Sequence, residues 1–70
     1  MRQALLIFDG LCKTEEVNVI GSMDEITTKA KEALKNRNCK AVKLWRVGVG
    51  IWKFNQDTEW WDLCANVATR

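Results

Sequence analysis

The stretch SMDEITTKAKEALKN, residues 22–36, decides the fold because it carries the signals of a complete amphipathic helix. Ser22 and Glu25 have the spacing of a capping box. The serine hydroxyl accepts from the Glu25 amide in such a box, and the carboxylate reaches back to the Ser22 amide. Asp24 near the start and Lys35 near the end complement the helix dipole. These signals predict one helix over the whole stretch.

An apolar stripe runs along the predicted helix at spacings of three and four residues. Its members are Met23, Ile26, Ala30, Ala33 and Leu34. The stripe is narrow, so the helix needs one flat apolar surface to pack on. If Leu34 is fully buried against that surface, its replacement by alanine would lower the free energy of unfolding by about 2–5 kcal/mol.

The residues on either side of the helix predict the strands of a sheet, from alternating apolar positions and from turn residues. The predicted strands are residues 3–8, 15–20, 39–47, 51–55 and 59–63. Asp9-Gly10 is either a two-residue hairpin turn or part of a loop over 9–14. Turns are also predicted at 48–50 and 55–58. The fold class is α+β: one amphipathic helix packed on an antiparallel four- to five-stranded sheet, in the order β-β-α-β-β-β.

Length and composition predict one compact domain over residues 1–70. With 47% apolar and 29% charged residues and no proline, the chain is globular rather than disordered. Its longest apolar run, residues 4–8, is far shorter than the roughly 20 residues that span a bilayer. Met1 is not followed by a targeting segment, so we expect a cytoplasmic protein without membrane contact.

One helix cannot cover both faces of a four- or five-stranded sheet. The second face must be solvated or covered by something else, and we expect function to lie there. The chain holds four tryptophans, Trp45, Trp52, Trp60 and Trp61. Adjacent strand residues point to opposite faces, so Trp60 and Trp61 are separated. Trp45 and Trp52 are expected to pair across strands. The tryptophans either fill a small core or anchor an interface.

Basic residues are concentrated in one part of the chain, where Glu32 is the single acid. They are Lys29, Lys31, Lys35, Arg37, Lys40, Lys43 and Arg46. These residues either form a solvated surface or provide an electrostatic footprint for phosphate. The set that would suit base stacking also includes aromatic residues: Lys43, Trp45, Arg46, Trp52 and Lys53. We therefore take the seven basic residues and four tryptophans as candidates for binding protein or nucleic acid.

Catalysis is poorly supported by the residue types present. The chain has no histidine, and Gly48-Val49-Gly50 lacks the remainder of a phosphate-binding fingerprint. Cys12, Cys39 and Cys64 form no CxxC pair and are expected to be reduced thiols. We expect no enzyme activity, no cofactor and no metal.

A resemblance covers residues 17–61, in which a strand, a lysine-bearing helix and a tryptophan-rich hairpin, RVGVGIWKFNQDTEWW, follow one another. This order resembles small phage-encoded host-takeover proteins, among them anti-CRISPR inhibitors. The resemblance implies a stoichiometric inhibitor of a host protein or ribonucleoprotein complex that handles nucleic acid, in the host cytoplasm. Two alternatives stay open. The chain could bind nucleic acid directly through residues 29–46, or form a homodimer or larger homo-oligomer through an exposed face or edge.

The helix cap gives a first testable prediction. Ser22→Ala removes the oxygen that accepts from the first turn, so the free energy of unfolding should fall by about 1 kcal/mol. Urea denaturation followed by circular dichroism measures the change. A midpoint equal to that of the wild type would show that Ser22 does not cap the helix.

Overall fold

A computed structural model of the chain describes residues 2–36 and 39–65. These residues form five strands and one helix: β1 (Gln3–Asp9), β2 (Cys12–Asn18), α1 (Met23–Asn36), β3 (Ala41–Arg46), β4 (Gly50–Asn55) and β5 (Trp60–Ala65). The strands pair antiparallel in the order β2-β1-β3-β4-β5. The predicted α+β class and element order are confirmed. No helix in the described residues has the length and apolar character to cross a membrane.

The first hairpin has a two-residue turn. Asp9 pairs with Cys12, so Gly10 and Leu11 are the turn residues. Gly10 has a φ of 82°, in the left-handed region that favours glycine. Of the two predicted alternatives, the structure has the two-residue hairpin turn and not the loop over 9–14. The turn residues are Gly10 and Leu11, one position later than the predicted Asp9-Gly10.

A β-bulge explains why β2 begins earlier than predicted. Ile7 pairs with Glu15 but Phe8 pairs with Lys13, which leaves Thr14 as an extra residue. The Thr14 hydroxyl donates to the Ile7 carbonyl at 3.2 Å. The extra residue interrupts the alternation of side chains, and the preceding residues are polar. The sequence pattern therefore misplaced the strand start at residue 15 instead of Cys12.

The start of α1 has the serine contact of the predicted capping box. The Glu25 amide donates to the Ser22 hydroxyl at 3.3 Å. The Glu25 carboxylate folds back against Gly21, whose φ is 128°. A Cβ atom at position 21 would meet that carboxylate and would strain the backbone. Only glycine fits the entry to the helix here.

The apolar stripe of α1 packs on one face of the sheet, which we call the helix face. Ile26, Ala30 and Ala33 are buried, whereas Met23 and Leu34 are half-buried at the two ends of the stripe. The sheet contributes Leu5, Ile7, Val42, Leu44, Phe54 and Trp61, and the segment before α1 contributes Val19. Because Leu34 is only half-buried, replacing it by alanine should cost less than full burial would imply.

A polar contact inside the core fastens the helix to the sheet. The Trp61 indole N–H donates to the hydroxyl of Thr27 at 2.9 Å, and both residues are buried. Phe54 packs edge-on against Trp61, with ring centroids 5.1 Å apart. Thr27 lies beside the predicted stripe but is polar, so the sequence pattern did not place it in the core.

The expected pairing of Trp45 with Trp52 is wrong. Trp45 pairs with Ile51, and Leu44 pairs with Trp52. Three turn residues separate the paired Arg46 and Gly50, so every pair across this hairpin joins two odd or two even positions. Trp45 has an odd residue number and Trp52 an even one, so their side chains lie on opposite faces of the sheet.

The last turn is built around an asparagine, as predicted for residues 55–58. The Asn55 side-chain oxygen accepts from the amides of Asp57 at 2.8 Å and Thr58 at 3.2 Å. Glu59 closes the turn with a φ of 59°. β5 then continues to Ala65, two residues beyond the predicted end, while β3 is shorter at both ends than predicted.

The Trp61–Thr27 contact gives a prediction for stability. Thr27→Val keeps the side-chain shape but removes the acceptor, leaving a buried indole N–H unsatisfied. The free energy of unfolding should fall by about 1–3 kcal/mol. Urea denaturation of the single and double variants measures it. In a Trp61→Phe background, which has no donor, the same substitution should cost much less. Equal costs in the two backgrounds would show that the contact contributes nothing.

Candidate binding surface on the open face of the sheet

The sheet has a second face that no described helix covers, which we call the open face. Directly opposed residues of an antiparallel pair share a face, so the pairings identify its members. They are Ala4, Leu6 and Phe8 of β1; Lys13, Glu16 and Asn18 of β2; Ala41, Lys43 and Trp45 of β3; Ile51, Lys53 and Asn55 of β4; and Trp60 and Asp62 of β5.

The open face has an apolar floor. Ala4 and Leu6 are buried although no described helix covers them. Their neighbours across the strands are long side chains: Trp45 lies opposite Ala4, and Lys43 lies opposite Leu6. The open face is therefore partly covered by its own side chains, through the apolar stems and rings of its larger residues.

Cations lie over the aromatic rings of this face. The Lys43 ammonium is 4.9 Å from the centroid of the Phe8 ring. The Arg2 guanidinium, which precedes β1, is 5.8 Å from a Trp45 ring centroid. Both aromatic side chains are only half-buried. The open face thus presents aromatic surface and positive charge at the same places.

Positive charge is in excess among the described residues of the open face. Lys43 lies directly opposite Lys53, a like-charge pair that destabilises a sheet. Glu16 is within 3.2 Å of Lys13 and 3.5 Å of Arg2. The open face carries four basic residues (Arg2, Lys13, Lys43 and Lys53) and two acidic residues (Glu16 and Asp62). Asp62 lies opposite Lys53 on its other side and offsets part of the lysine–lysine repulsion, but the net charge of the face stays positive.

The predicted basic stretch does not form one surface. Lys29 lies beside β1 and β2 on one side of α1. Lys31 and Lys35 lie on its other side near the β4–β5 turn, and Lys31 pairs with Glu59 at 2.9 Å. A helix distributes residues around its axis, so lysines close in sequence diverge in space. Lys40, just before β3, lines a separate cleft, and Arg37 lies outside the described residues.

Arg46 lies on the helix face, and its contacts are structural. Its Nε donates to the Gln3 side-chain oxygen at 2.8 Å, and its Nη2 contacts the Met23 sulfur at 2.7 Å. The guanidinium also lies 5.5 Å from a Trp52 ring centroid. Arg46 and Trp52 therefore close one end of the core and are not part of the open face.

The four tryptophans divide between the two faces. Trp61 is 7% exposed and belongs to the core, whereas Trp60 is 50% exposed at the edge of the open face. Trp45 is half-buried on the open face, and Trp52 is half-buried against the core. Adjacent tryptophans thus face opposite ways, as predicted. Trp45 and Trp60 are the two that a partner could reach on the open face.

Sequence reasoning missed three contributors to the open face: Arg2, Phe8 and Lys13. Phe8 closes an apolar run in which alternate residues face opposite sides. The same alternation places Phe8 with Leu6 rather than with Ile7, so the signal was present. The position of Lys53 opposite Lys43 depends on the length of the β3–β4 turn, which the sequence pattern did not fix.

The two edge strands of the sheet differ in character. β2 carries Lys13, Glu15 and Glu16 together with the bulge at Thr14. Charges and bulges protect an edge from pairing with another chain. β5 is also bulged, at Cys64, but it has one charged residue, Asp62, in its sequence WWDLCA. Its Leu63 side chain is 58% exposed. The outer edge of β5 is therefore the less protected one.

The cysteines are free thiols in the structure. Cys12 and Cys64 are exposed on the two edge strands, and Cys39 is half-buried, with its sulfur 3.8 Å from the Ala33 carbonyl. Within residues 2–36 and 39–65, no group of three cysteine or acidic side chains is placed to hold a metal ion.

The contacts of Arg46 predict a stabilising role. Arg46→Ala should lower the free energy of unfolding by about 1–3 kcal/mol, because it leaves the Gln3 oxygen and the Trp52 ring without their partner. Lys35→Ala, at an exposed helix position, is the control and should change stability by less than about 0.5 kcal/mol. Urea denaturation compares the two. Equal effects would show that Arg46 is only a solvated charge.

Comparison with protein-family models, with curated proteins and with solved structures finds no match. The resemblance to phage-encoded host-takeover proteins therefore stays a prediction. Function has to be inferred from the open face and from the exposed edge strand β5.

Proposed function

We propose that this chain is a non-enzymatic protein-binding module that pairs the outer edge of β5 with an extended segment of its partner. The observation that carries the proposal is the difference between the edges. Both strands are bulged, but β2 carries three charged side chains, whereas β5 carries one and presents exposed Trp60 and Leu63. Edges without protection are where proteins accept an added strand.

The side chains of β5 suit such a partner strand. Trp60 lies opposite Asn55 on the open face, and Leu63 lies opposite Trp52 on the helix face. A strand added to β5 would therefore meet one large apolar side chain on each side of the sheet. Backbone hydrogen bonds would supply affinity, and the two side chains would select the residues that face them. A half-exposed tryptophan is also the residue type most enriched at binding hot spots.

The resemblance to phage-encoded inhibitors supplies the expected class of partner, a host protein or ribonucleoprotein complex in the host cytoplasm. A stoichiometric inhibitor acts by occupying a surface of its target and needs no chemistry of its own. The edge of a rigid five-stranded sheet can serve that purpose. Little ordering of the module is needed on binding, which favours affinity.

Leu63→Lys tests the proposal because a lysine on an edge strand opposes strand pairing. The control is Leu11→Lys, which adds the same charge at a fully exposed apolar position in the β1–β2 turn. Proteins from a bacterial lysate should be retained by the immobilised wild type and by the control, and lost with Leu63→Lys. Trp60→Ala should then weaken the affinity for the retained protein about 30-fold, which corresponds to about 2 kcal/mol.

Two results would overturn the proposal. Wild type and Leu63→Lys could retain the same proteins with the same affinity, in which case β5 is not the contact. Light scattering could instead show a dimer of the isolated chain that Leu63→Lys dissociates. A second copy of the chain would then occupy β5, and the partner would not be another protein.

A further inference from the structure

We infer that the open face binds single-stranded nucleic acid, with Phe8 and Trp45 stacking on bases and the surrounding cations contacting phosphates. This function is separate from the proposed pairing at β5. It also differs from the earlier expectation for residues 29–46, because most of those basic residues lie elsewhere on the molecule.

The two aromatic rings lie on the central strands of the sheet. Phe8 of β1 pairs with Ala41, and Trp45 of β3 pairs with Ala4, so the rings lie at opposite ends of one ladder. Four residues of strand separate them, about 13 Å at about 3.3 Å per residue. An extended single strand can place non-adjacent bases on two rings so spaced. Every base has a π-face, so stacking of this kind tolerates many sequences.

The cations are arranged around the rings. The Lys43 ammonium already lies 4.9 Å from the Phe8 ring, and the Arg2 guanidinium lies 5.8 Å from the Trp45 ring. A base that stacks on either ring would displace the cation over it, and the flexible side chain would leave that cation close enough to meet the phosphate that flanks the base. Lys53 lies directly opposite Lys43 on β4, with Asp62 opposite it on the other side, so it adds a second cation that a phosphate could meet beside Lys43.

The shape of the face favours a single strand over a duplex. Five strands about 4.8 Å apart span about 19 Å, which exceeds the roughly 12 Å width of the DNA major groove. Bases of a duplex are also stacked on one another and cannot reach the rings. A flat face with aromatic rings and positive charge is the combination found in single-strand platforms.

An acidic protein is the competing occupant of the open face. It would use the cations but would not depend on the faces of both rings. The two flanks of α1 provide a matched control, because Lys29 and Lys35 are exposed there on an element that lies on the other side of the sheet. Loss of two charges can therefore be compared at two places on one molecule.

The experiment measures fluorescence anisotropy of a labelled oligothymidine of about 15 nucleotides, a length that covers one such platform. Lys43→Gln with Lys53→Gln should weaken binding about 10-fold and lower the slope of log K against log salt by about 1.4, at about 0.7 per phosphate contact. Lys29→Gln with Lys35→Gln should leave both quantities unchanged. A duplex of the same sequence should bind more weakly than the single strand.

The rings are tested by Phe8→Leu with Trp45→Leu, which keeps apolar cover over the floor but removes the π-faces. Binding should weaken about 10-fold while the salt slope stays constant, because no phosphate contact is lost. Circular dichroism and urea midpoints establish that the variants are folded. If the double variant does not fold, Trp45→Phe provides the test, since a smaller ring at one end should weaken binding measurably.

Several outcomes would overturn the inference. The wild type could fail to bind the oligonucleotide at low salt, or both pairs of lysine variants could weaken binding equally. Loss of binding in the Lys43 and Lys53 variant without any effect of the ring variant would identify a general polyanion surface, as for an acidic protein. Leu63→Lys should leave oligonucleotide binding unchanged, so the result does not depend on the proposal for β5.

Discussion

The structure depends on one constraint: a single helix must cover the apolar face of a sheet that is wider than the helix. The 14 residues of α1 form a rod about 21 Å long and about 10 Å wide, against a sheet about 19 Å across. Ala30 and Ala33 let the helix approach closely, and the Trp61–Thr27 hydrogen bond fastens it to β5. Only one face can be covered in this way, and both proposed functions use surface that the helix leaves accessible.

The uncovered face is stabilised by its own side chains rather than by a second layer. The charged ends of Lys43 and Arg2 lie over Phe8 and Trp45, so each ring is covered by a cation that a ligand can displace. This arrangement leaves positive charge over an apolar floor. The candidate binding surface is thus a direct consequence of the small size of the domain.

Local signals in the sequence predicted the helix and the order of elements, because capping, periodicity and turn residues act over a few positions. Register and strand faces depend on features that single residues do not show. The bulge at Thr14 moved the start of β2, and the three-residue turn separated Trp45 from Trp52. Arg46 was placed in a basic footprint because its neighbours in sequence are basic, whereas its neighbours in space are Gln3, Met23 and Trp52.

The central position of β1 has a consequence for folding. β1 is the first strand made, yet it pairs with β3 from Gln3↔Arg46 to Phe8↔Ala41. During synthesis its inner edge has no partner until β3 has left the ribosome, while β2 already occupies the other edge. The unpaired edge belongs to the most apolar strand, so the nascent β1–β2 hairpin is the stage most exposed to aggregation. Closure of the β1–β3 ladder across the intervening helix is the step with the largest loss of chain entropy.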